Sequence, residues 1–117
     1  MRRLEGHLVG VDAGSVVLFS DFEGGGEMWS GQGPREKRAP VAFAEAFRAP
    51  PSVFVALDMW DFDRAANLRA DIRAEAVTAT GFEIVFRTWG DTRIARARAS
   101  WQAIGALAAG DGDGWDL

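Results

Sequence analysis

The chain has 117 residues, enough for one domain with its own hydrophobic core and too few for two. Hydrophobic residues make up 48% of it and charged residues 26%, as in ordinary globular proteins, so neither a disordered nor a membrane-embedded class is indicated. The formal net charge of −4 argues against a broad electrostatic attraction to nucleic acid or to anionic lipid surfaces, and neither is an expected partner.

The sequence lacks the residues from which most metal and thiol sites are built. It contains no cysteine, which excludes disulfides, thiol catalysis and thiolate metal ligands. Its one histidine, His7, is too few for a multi-histidine metal site and is interpreted as a strand or surface residue. No cofactor and no metal are therefore expected.

The N-terminal residues do not have the pattern of a targeting segment. Arg2 and Arg3 are not followed by an apolar run of the length that a signal peptide needs. No other stretch approaches the roughly 20 apolar residues of a membrane-spanning helix, so membrane insertion is not expected. We expect synthesis in the cytoplasm, with a site of action outside the cell or on the surface of a particle.

The first predicted elements are a strand and a loop. Within residues 15–22 an apolar run from Val16 to Phe19 gives way to polar residues, which is typical of a strand that leaves a core. Three successive glycines and the stretch from Trp29 to Pro34 then predict a loop. Residues 35–47 follow, with apolar side chains at odd-numbered positions, and two prolines come soon after them.

A buried strand is predicted for residues 52–62. Apolar side chains point alternately to its two sides, and both sides are expected to be covered for much of their length. One side carries Val53, Val55, Leu57 and Met59, and the other carries Phe54, Ala56 and Trp60.

Two stretches fit either a helix or a strand. Residues 64–76 have the Ala, Leu, Arg and Glu content of a helix, yet apolar and charged residues alternate through them without a break. The strand interpretation, which the alternation favours, puts Leu68, Ala70, Ile72, Ala74 and Ala76 inward and Arg69, Asp71, Arg73 and Glu75 outward. Residues 93–103 show the same conflict, with a row of alanines and the core residue Trp101 on one side.

A clearer strand begins at Gly81 and lies between these two stretches. Its apolar residues alternate with polar ones, and the turn from Trp89 to Thr92 is consistent with a hairpin to the next element. Short strands separated by turn residues at this spacing describe an antiparallel sandwich. We expect a single domain over residues 1–109 and a flexible tail, rich in Gly and Asp, over residues 110–117.

Four local patterns, taken in order, carry a resemblance to a known family. They are Val41-Ala42-Phe43 leading to Pro50-Pro51, Asn67-Leu68-Arg69, Val77 to Phe82, and Thr88-Trp89-Gly90-Asp91-Thr92 followed by Ser100-Trp101-Gln102-Ala103. From Pro40 to about Leu107 the chain resembles the H-type lectin domain of snail agglutinins and of the C-terminal discoidin module. The resemblance implies an all-β, six-stranded antiparallel β-sandwich that assembles as a trimer or hexamer, and it favours the strand for both ambiguous stretches.

The resemblance also implies a carbohydrate site. Arg69 of the Asn-Leu-Arg pattern is expected to hydrogen-bond the hydroxyls of a sugar, and Trp89 to shape the pocket, with Gly90 and Asp91 beside it. A neutral sugar offers hydroxyls and C–H bonds, so a fixed polar group next to an aromatic ring suits it. The alternative for Arg69 is a place in a solvated row of charges, and for Trp89 a packing role at the end of a hairpin.

A loop before the matched region is implied to complete the site from a neighbouring protomer. The candidate residues there are Ser30, Gly31 and Gln32. Gln32 stands where relatives have an aspartate, and Gly90 stands where well-studied relatives have a histidine or tyrosine that contacts the ligand. We therefore expect a homo-oligomeric lectin for a cell-surface or capsular saccharide, with an N-acetylgalactosamine-like sugar as one candidate ligand.

Two other functions stay open from the sequence. The first keeps the fold without sugar binding, as a trimeric structural or attachment module of a phage-like particle or spike. The second is a glycosidase or metal site built on Asp58, Asp61 and Asp63. Strict strand alternation would separate Asp58 from the other two carboxylates, and the family resemblance argues against hydrolysis, so neither an enzyme nor a metal site is expected.

Overall fold

The computed structural model describes residues 1–6 and 8–108 of the chain. His7 and the predicted tail at residues 110–117 lie outside the described residues. The described part forms six strands and one short helix: β1 (Val9–Ser20), α1 (Glu27–Ser30), β2 (Arg35–Ala42), β3 (Ser52–Phe62), β4 (Asp71–Glu75), β5 (Gly81–Thr88) and β6 (Ile94–Ala106). Within these ranges no helix has the length and apolar character needed to cross a bilayer.

The strands form two antiparallel three-stranded sheets. One has the order β1-β6-β3 and the other β2-β5-β4, so β6 and β5, which are consecutive in the chain, are the central strands of different sheets. The predicted hairpin at Trp89 to Thr92 is therefore wrong, because this turn connects the two sheets and not two paired strands. Large residues of β5 and its neighbours, such as Phe82 and Ile84, pack against the small residues Ala99 and Ala103 of β6. Small residues opposite large ones let two sheets interdigitate. The predicted all-β fold with two antiparallel sheets is confirmed.

The strand interpretation of residues 93–103 is confirmed by β6. Ala95, Ala97, Ala99 and Ala103 of its inward row are buried. Trp101 continues that row and packs on Phe82, with ring centroids 5.5 Å apart. The indole has room because Gly14 of β1 is its cross-strand partner, where a Cβ atom would come within 2.9 Å of the indole Nε1.

The predicted strand over residues 64–76 is much shorter in the structure. Only Asp71–Glu75 pair with β5, while residues 64–70 form a loop and Leu68, predicted to face inward, is 64% exposed. Ala70 and Ala76 are exposed as well, and Ala76 has a positive φ of 53° that ends the strand. Alternation alone does not create a strand, because the backbone also needs a partner strand along its length.

The prediction that both sides of β3 are covered is wrong for the single chain. Val53, Val55 and Leu57 pack into the core, whereas Phe54 is 70% exposed and Trp60 is 57% exposed. Phe54 lies on the outer face of this sheet, of which only one face packs on the other sheet. Trp60 follows a bulge and pairs with Ala97 of the inner row, but it lies on an edge strand and stays exposed.

A β-bulge in β3 changes the order of its side chains. The pairing with β6 shifts by one residue between Leu57 and Met59. A bulge interrupts strict alternation, so the expected separation of Asp58 from Asp61 does not occur. Asp58 pairs with Arg98 and Asp61 pairs with Arg96, two positions on the same face of β6.

Candidate functional site

Two buried threonines fix the backbone around Arg69, although it lies in a loop. The hydroxyl of Thr88, at the end of β5, donates to the carbonyl of Arg69 at 2.6 Å. The Arg69 N–H donates to the hydroxyl of Thr92 at 3.1 Å, and that hydroxyl donates to the carbonyl of Asn67 at 2.6 Å. Both threonines are essentially inaccessible to solvent. Because buried hydroxyls and backbone groups are costly to leave unpaired, these hydrogen bonds hold the loop firmly against the turn between β5 and β6.

The side chain of Arg69 lies across Gly90. Gly90 has a φ of 69°, in the left-handed region, and a Cβ atom there would come within 2.9 Å of the Arg69 Nη1 atom. The same Nη1 donates to the carboxylate of Asp91 and forms an ion pair with it. The hydrogen bond from Arg69 lowers the pKa of Asp91 below its ordinary value. Gly90 is therefore required both by its own backbone conformation and by the position of the guanidinium.

Trp89 stands at the surface beside a cavity. The Trp89 side chain is 45% exposed and is therefore not fully packed. The cavity has a volume of about 250 Å³ and is also lined by Pro34, Arg35, Glu36, Arg87 and Thr88. Arg69 contacts Gly90, the chain neighbour of Trp89, but it does not line this cavity. The shared site of Arg69 and Trp89 stays a prediction.

The loop with the candidates Ser30, Gly31 and Gln32 lies against the turn between β5 and β6 of its own chain. The N–H of Gly33 donates to the carbonyl of Gly90 at 2.9 Å. Arg93 donates through Nε to the carbonyl of Trp29 at 2.9 Å, and its guanidinium lies 4.3 Å from the centre of the Trp29 ring. The loop is therefore attached to the candidate site by backbone and cation–π contacts.

Ser30, Gly31 and Gln32 have different surroundings in this loop. The Ser30 hydroxyl donates to the carbonyls of Gly25 and Gly26, at 2.7 and 3.0 Å, and so serves the local turn. The Gly31 N–H donates to the carbonyl of Glu27 at 2.8 Å. Gln32 is exposed, and among the described residues its amide makes no hydrogen bond. Of the three, Gln32 has the side chain available for an external partner.

Arg35 is a residue of this region that the sequence patterns did not single out. Although charged, it is buried, and it donates to four backbone carbonyls, those of Gly33, Glu27, Met28 and Gly90, at 2.9 to 3.3 Å. Burial of a guanidinium is tolerated when its donors are paired. In the sequence, the only sign of this burial is that Arg35 lies on the same inward side of β2 as Ala39.

The remaining charges around the cavity are balanced. Arg87 lies between Glu36, at 3.0 Å, and Glu75, at 3.2 Å. Arg38 extends this network to Glu83, and its hydrogen bond lowers the pKa of Glu36. Ion-paired guanidiniums retain N–H donors for hydroxyls but add little net field. The surroundings of Trp89 thus suit a neutral, hydroxyl-rich molecule.

The aspartates of the alternative site do not converge. Asp58 pairs with Arg98 at 2.8 Å, Asp61 with Arg96 at 3.4 Å, and Asp63 with Arg93 at 3.3 Å. Within residues 1–6 and 8–108 there is no group of three potential ligands that could hold a metal ion. Each carboxylate is therefore engaged by a different arginine.

Comparison with known sequences connects this arrangement to one family. The H-type lectin domain family model matches residues 38–104. A protein of Fuscovulum blasticum called "ATP synthase subunits region ORF 7" is 55% identical over 112 residues, which is 96% of each chain. A Discoidin-1 chain of Dictyostelium discoideum is 33% identical over 75 residues, 63% of this chain and 30% of that protein.

Solved structures show the same fold. Wild-type discoidin II from Dictyostelium discoideum superposes with a TM-score of 0.73 and 23% identity, over 86% of this chain and 38% of that one. The tailspike protein gp49 of Pseudomonas phage LKA1 gives a TM-score of 0.52 and 18% identity, over 86% of this chain and 15% of that one. The chain thus spans well under half of each discoidin that it matches. Since the family model covers more than half of its residues, the chain belongs to the H-type lectin domain family.

Proposed function

We propose that this protein is a lectin that binds a saccharide through Arg69 and Trp89. The observation that carries the proposal is the fixed position of Arg69, whose backbone is held by two buried threonines and whose guanidinium lies beside Gly90. A prepositioned donor next to a half-exposed indole provides the polar and apolar contacts that sugar rings require. Membership of the H-type lectin domain family supports carbohydrate binding at a general level.

The charge balance favours a neutral saccharide over an acidic one. Arg69 is paired with Asp91, and Arg87 with Glu36 and Glu75. Because Gly90 leaves no ring beside the ligand, we expect a preference that differs from that of relatives with an aromatic residue there. A neutral cell-surface or capsular saccharide is therefore the proposed ligand, with an N-acetylgalactosamine-like sugar as one candidate.

We further propose that the protein acts as a homotrimer or hexamer. The outer face of the β1-β6-β3 sheet exposes four apolar side chains, those of Val9, Val11, Val17 and Phe54, beside polar residues of the central strand such as Gln102. Large exposed apolar faces mark association surfaces. Several weak sugar sites on one oligomer would give the avidity that a lectin needs. In such an assembly Gln32 is the candidate to reach the site of a neighbouring protomer.

A glycan array probed with the intact oligomer tests the sugar-binding proposal. Arg69→Ala and Trp89→Ala should each weaken binding by about tenfold or more, because each removes one of the two contact types. Arg64→Ala, which removes an exposed arginine outside the cavity, is the matched control and should bind normally. Unchanged binding in folded Arg69→Ala and Trp89→Ala proteins would refute the proposed site.

A structural module without sugar binding is the second candidate function. The observation that favours this alternative is the likeness in fold to a phage tailspike protein, with a TM-score of 0.52. It predicts normal assembly and no binding to any neutral or acidic saccharide on the array. For neither candidate function do we propose catalysis, since Asp58, Asp61 and Asp63 are each paired with a separate arginine. Release of reducing ends from a bound saccharide would contradict this.

A further inference from the structure

A second, larger cavity lies at the other end of the molecule. It has a volume of about 450 Å³ and borders Gly105 and Ala106, where β6 ends. The Arg69 site lies where β6 begins, and at roughly 3.3 Å per residue a strand of 13 residues spans about 40 Å. The two sites are therefore separate. The other walls of this cavity come from residues 2–5 and 48–50.

Three arginines concentrate positive charge in this cavity. Arg2, Arg3 and Arg48 line it, together with one carboxylate, that of Glu5. Within the described ranges no carboxylate lies within 4.0 Å of any of these three guanidiniums. This contrasts with the Arg69 site, where the guanidinium is paired with Asp91. In a chain with a net charge of −4, such a cluster is a local exception.

The chain segments that carry these arginines are joined by hydrogen bonds. The N–H of Arg48 donates to the carbonyl of Ala106 at 2.8 Å, which ties residues 48–50 to β6. Arg2 donates through Nη1 to the carbonyl of Pro50 at 2.8 Å. The guanidinium of Arg48 lies over Gly6, which has a φ of 102°, and a Cβ atom there would be 3.2 Å from Nη2. The three side chains are thus brought together. Each guanidinium has five N–H donors, so N–H groups remain available for a ligand.

We propose that this cavity binds an oxyanion, namely a carboxylate, sulfate or phosphate group. Guanidinium groups match such oxygens with paired, charge-assisted hydrogen bonds. Leu4, Pro50 and Ala106 give the cavity apolar surface, so the bound oxyanion can be part of a larger organic molecule. The same chemistry is available from two sources, an external anion or the carboxylates of Asp111, Asp113 and Asp116, which follow β6 in the sequence.

Sodium sulfate, titrated into the full chain at constant ionic strength, tests this proposal. The Nε–Hε signals of Arg2, Arg3 and Arg48 in NMR spectra should shift in a saturable way, whereas sodium chloride should not produce the same shifts. Arg48→Gln should weaken sulfate binding about tenfold, because it removes a charge-assisted donor. Arg3→Gln should weaken it in the same direction, and it provides the test if Arg48→Gln fails to fold.

Arg64→Gln is the matched control, because Arg64 is exposed and does not line the cavity. Its sulfate affinity should equal that of the unaltered chain. The proposal is overturned if the three signals saturate neither in the unaltered chain nor after removal of the tail carboxylates described below, or if Arg64→Gln weakens sulfate binding as much as Arg48→Gln and Arg3→Gln do.

A variant with Asp111→Asn, Asp113→Asn and Asp116→Asn distinguishes the two sources. If these carboxylates occupy the cavity, their removal should raise the apparent sulfate affinity severalfold, because a competing ligand is lost. An unchanged affinity would assign the cavity to external anions. Both results uphold an oxyanion site, whereas the absence of saturable binding in both chains refutes it.

Discussion

The guanidinium of Arg69 occupies the space into which a side chain at position 90 would project. A Cβ atom on Gly90 would lie 2.9 Å from Nη1 and 3.2 Å from Cζ of Arg69. These two residues are therefore coupled: the glycine permits the left-handed backbone, and the arginine uses the room that the missing side chain leaves. The placement of Arg69, the proposed sugar-binding arginine, thus depends on a glycine at position 90.

Gly90→Ala should lower the free energy of unfolding by about 1 to 2 kcal/mol, because an alanine is strained at a φ of 69°. It should also weaken saccharide binding, since Arg69 has to move away from the new Cβ atom. Urea denaturation and a glycan-binding assay measure the two effects. Gly24→Ala is the control, because a Cβ atom at Gly24 would meet no atom within 4 Å. Equal effects of the two substitutions would contradict the coupling.

Thr92→Val should destabilise the protein by about 1 to 3 kcal/mol, because it leaves two backbone groups without their partner. These groups are the carbonyl of Asn67 and the N–H of Arg69. Saccharide binding should fall as well, since the loop that carries Arg69 is released. Thr80→Val, at an exposed hydroxyl, should change neither quantity appreciably. Full saccharide affinity in Thr92→Val would show that this anchor does not position Arg69.

The ion pair between Arg69 and Asp91 should make stability depend on acid pH. The hydrogen bond from Arg69 lowers the pKa of Asp91 in the folded protein. A carboxylate with a lowered folded pKa stabilises the fold fully above its unfolded pKa, near 4, and loses that effect as the pH falls through the folded value. Between about pH 5 and pH 2, the stability difference between the unaltered chain and Asp91→Asn should therefore shrink.

Chemical denaturation at several pH values measures this difference. Glu45→Gln, which changes an exposed carboxylate outside the site, is the control and should show a smaller pH-dependent difference. A difference between the unaltered chain and Asp91→Asn that stays constant across this pH range would show that the ion pair does not stabilise the fold.

Phe54→Glu should dissociate the proposed oligomer without unfolding the protomer. Phe54 is 70% exposed in the single chain, so its replacement removes little from the core. A buried charge on the β1-β6-β3 face would, however, oppose association. Light scattering coupled to size-exclusion chromatography reports the mass, and circular dichroism the fold. Leu68→Glu, at another exposed apolar residue, should leave the mass unchanged. An unaltered chain that runs as a monomer would contradict the proposed assembly.

Sequence patterns predicted the central strands well. β5 and β6 alternate over most of their length, and their inward residues, such as Ile84 and Ala99, are buried as the alternation requires. Val85, on the other side of β5, is buried as well. The family motifs, which occur in order along the chain, also predict one site for Trp89 and Arg69, and that site stays a prediction. Alternation failed just before β4. Leu68 has the position of an inward residue in the alternating pattern, but the chain at Leu68 has no partner strand. It failed again at Asp58, where a bulge in β3 shifted the pairing with β6.

The amino-acid sequence by itself determined the all-β class and the family, and it predicted residues for a saccharide site, because period-two alternation and short motifs are local properties of the chain. Only the tertiary structure decided that Arg35 is buried, since the carbonyls that satisfy it include that of Gly90, 55 residues away. It also decided that Arg2 and Arg48 share a cavity, because the N-terminal residues and residues 48–50 meet at the end of β6. Such groupings depend on contacts between distant segments, and no local pattern encodes them.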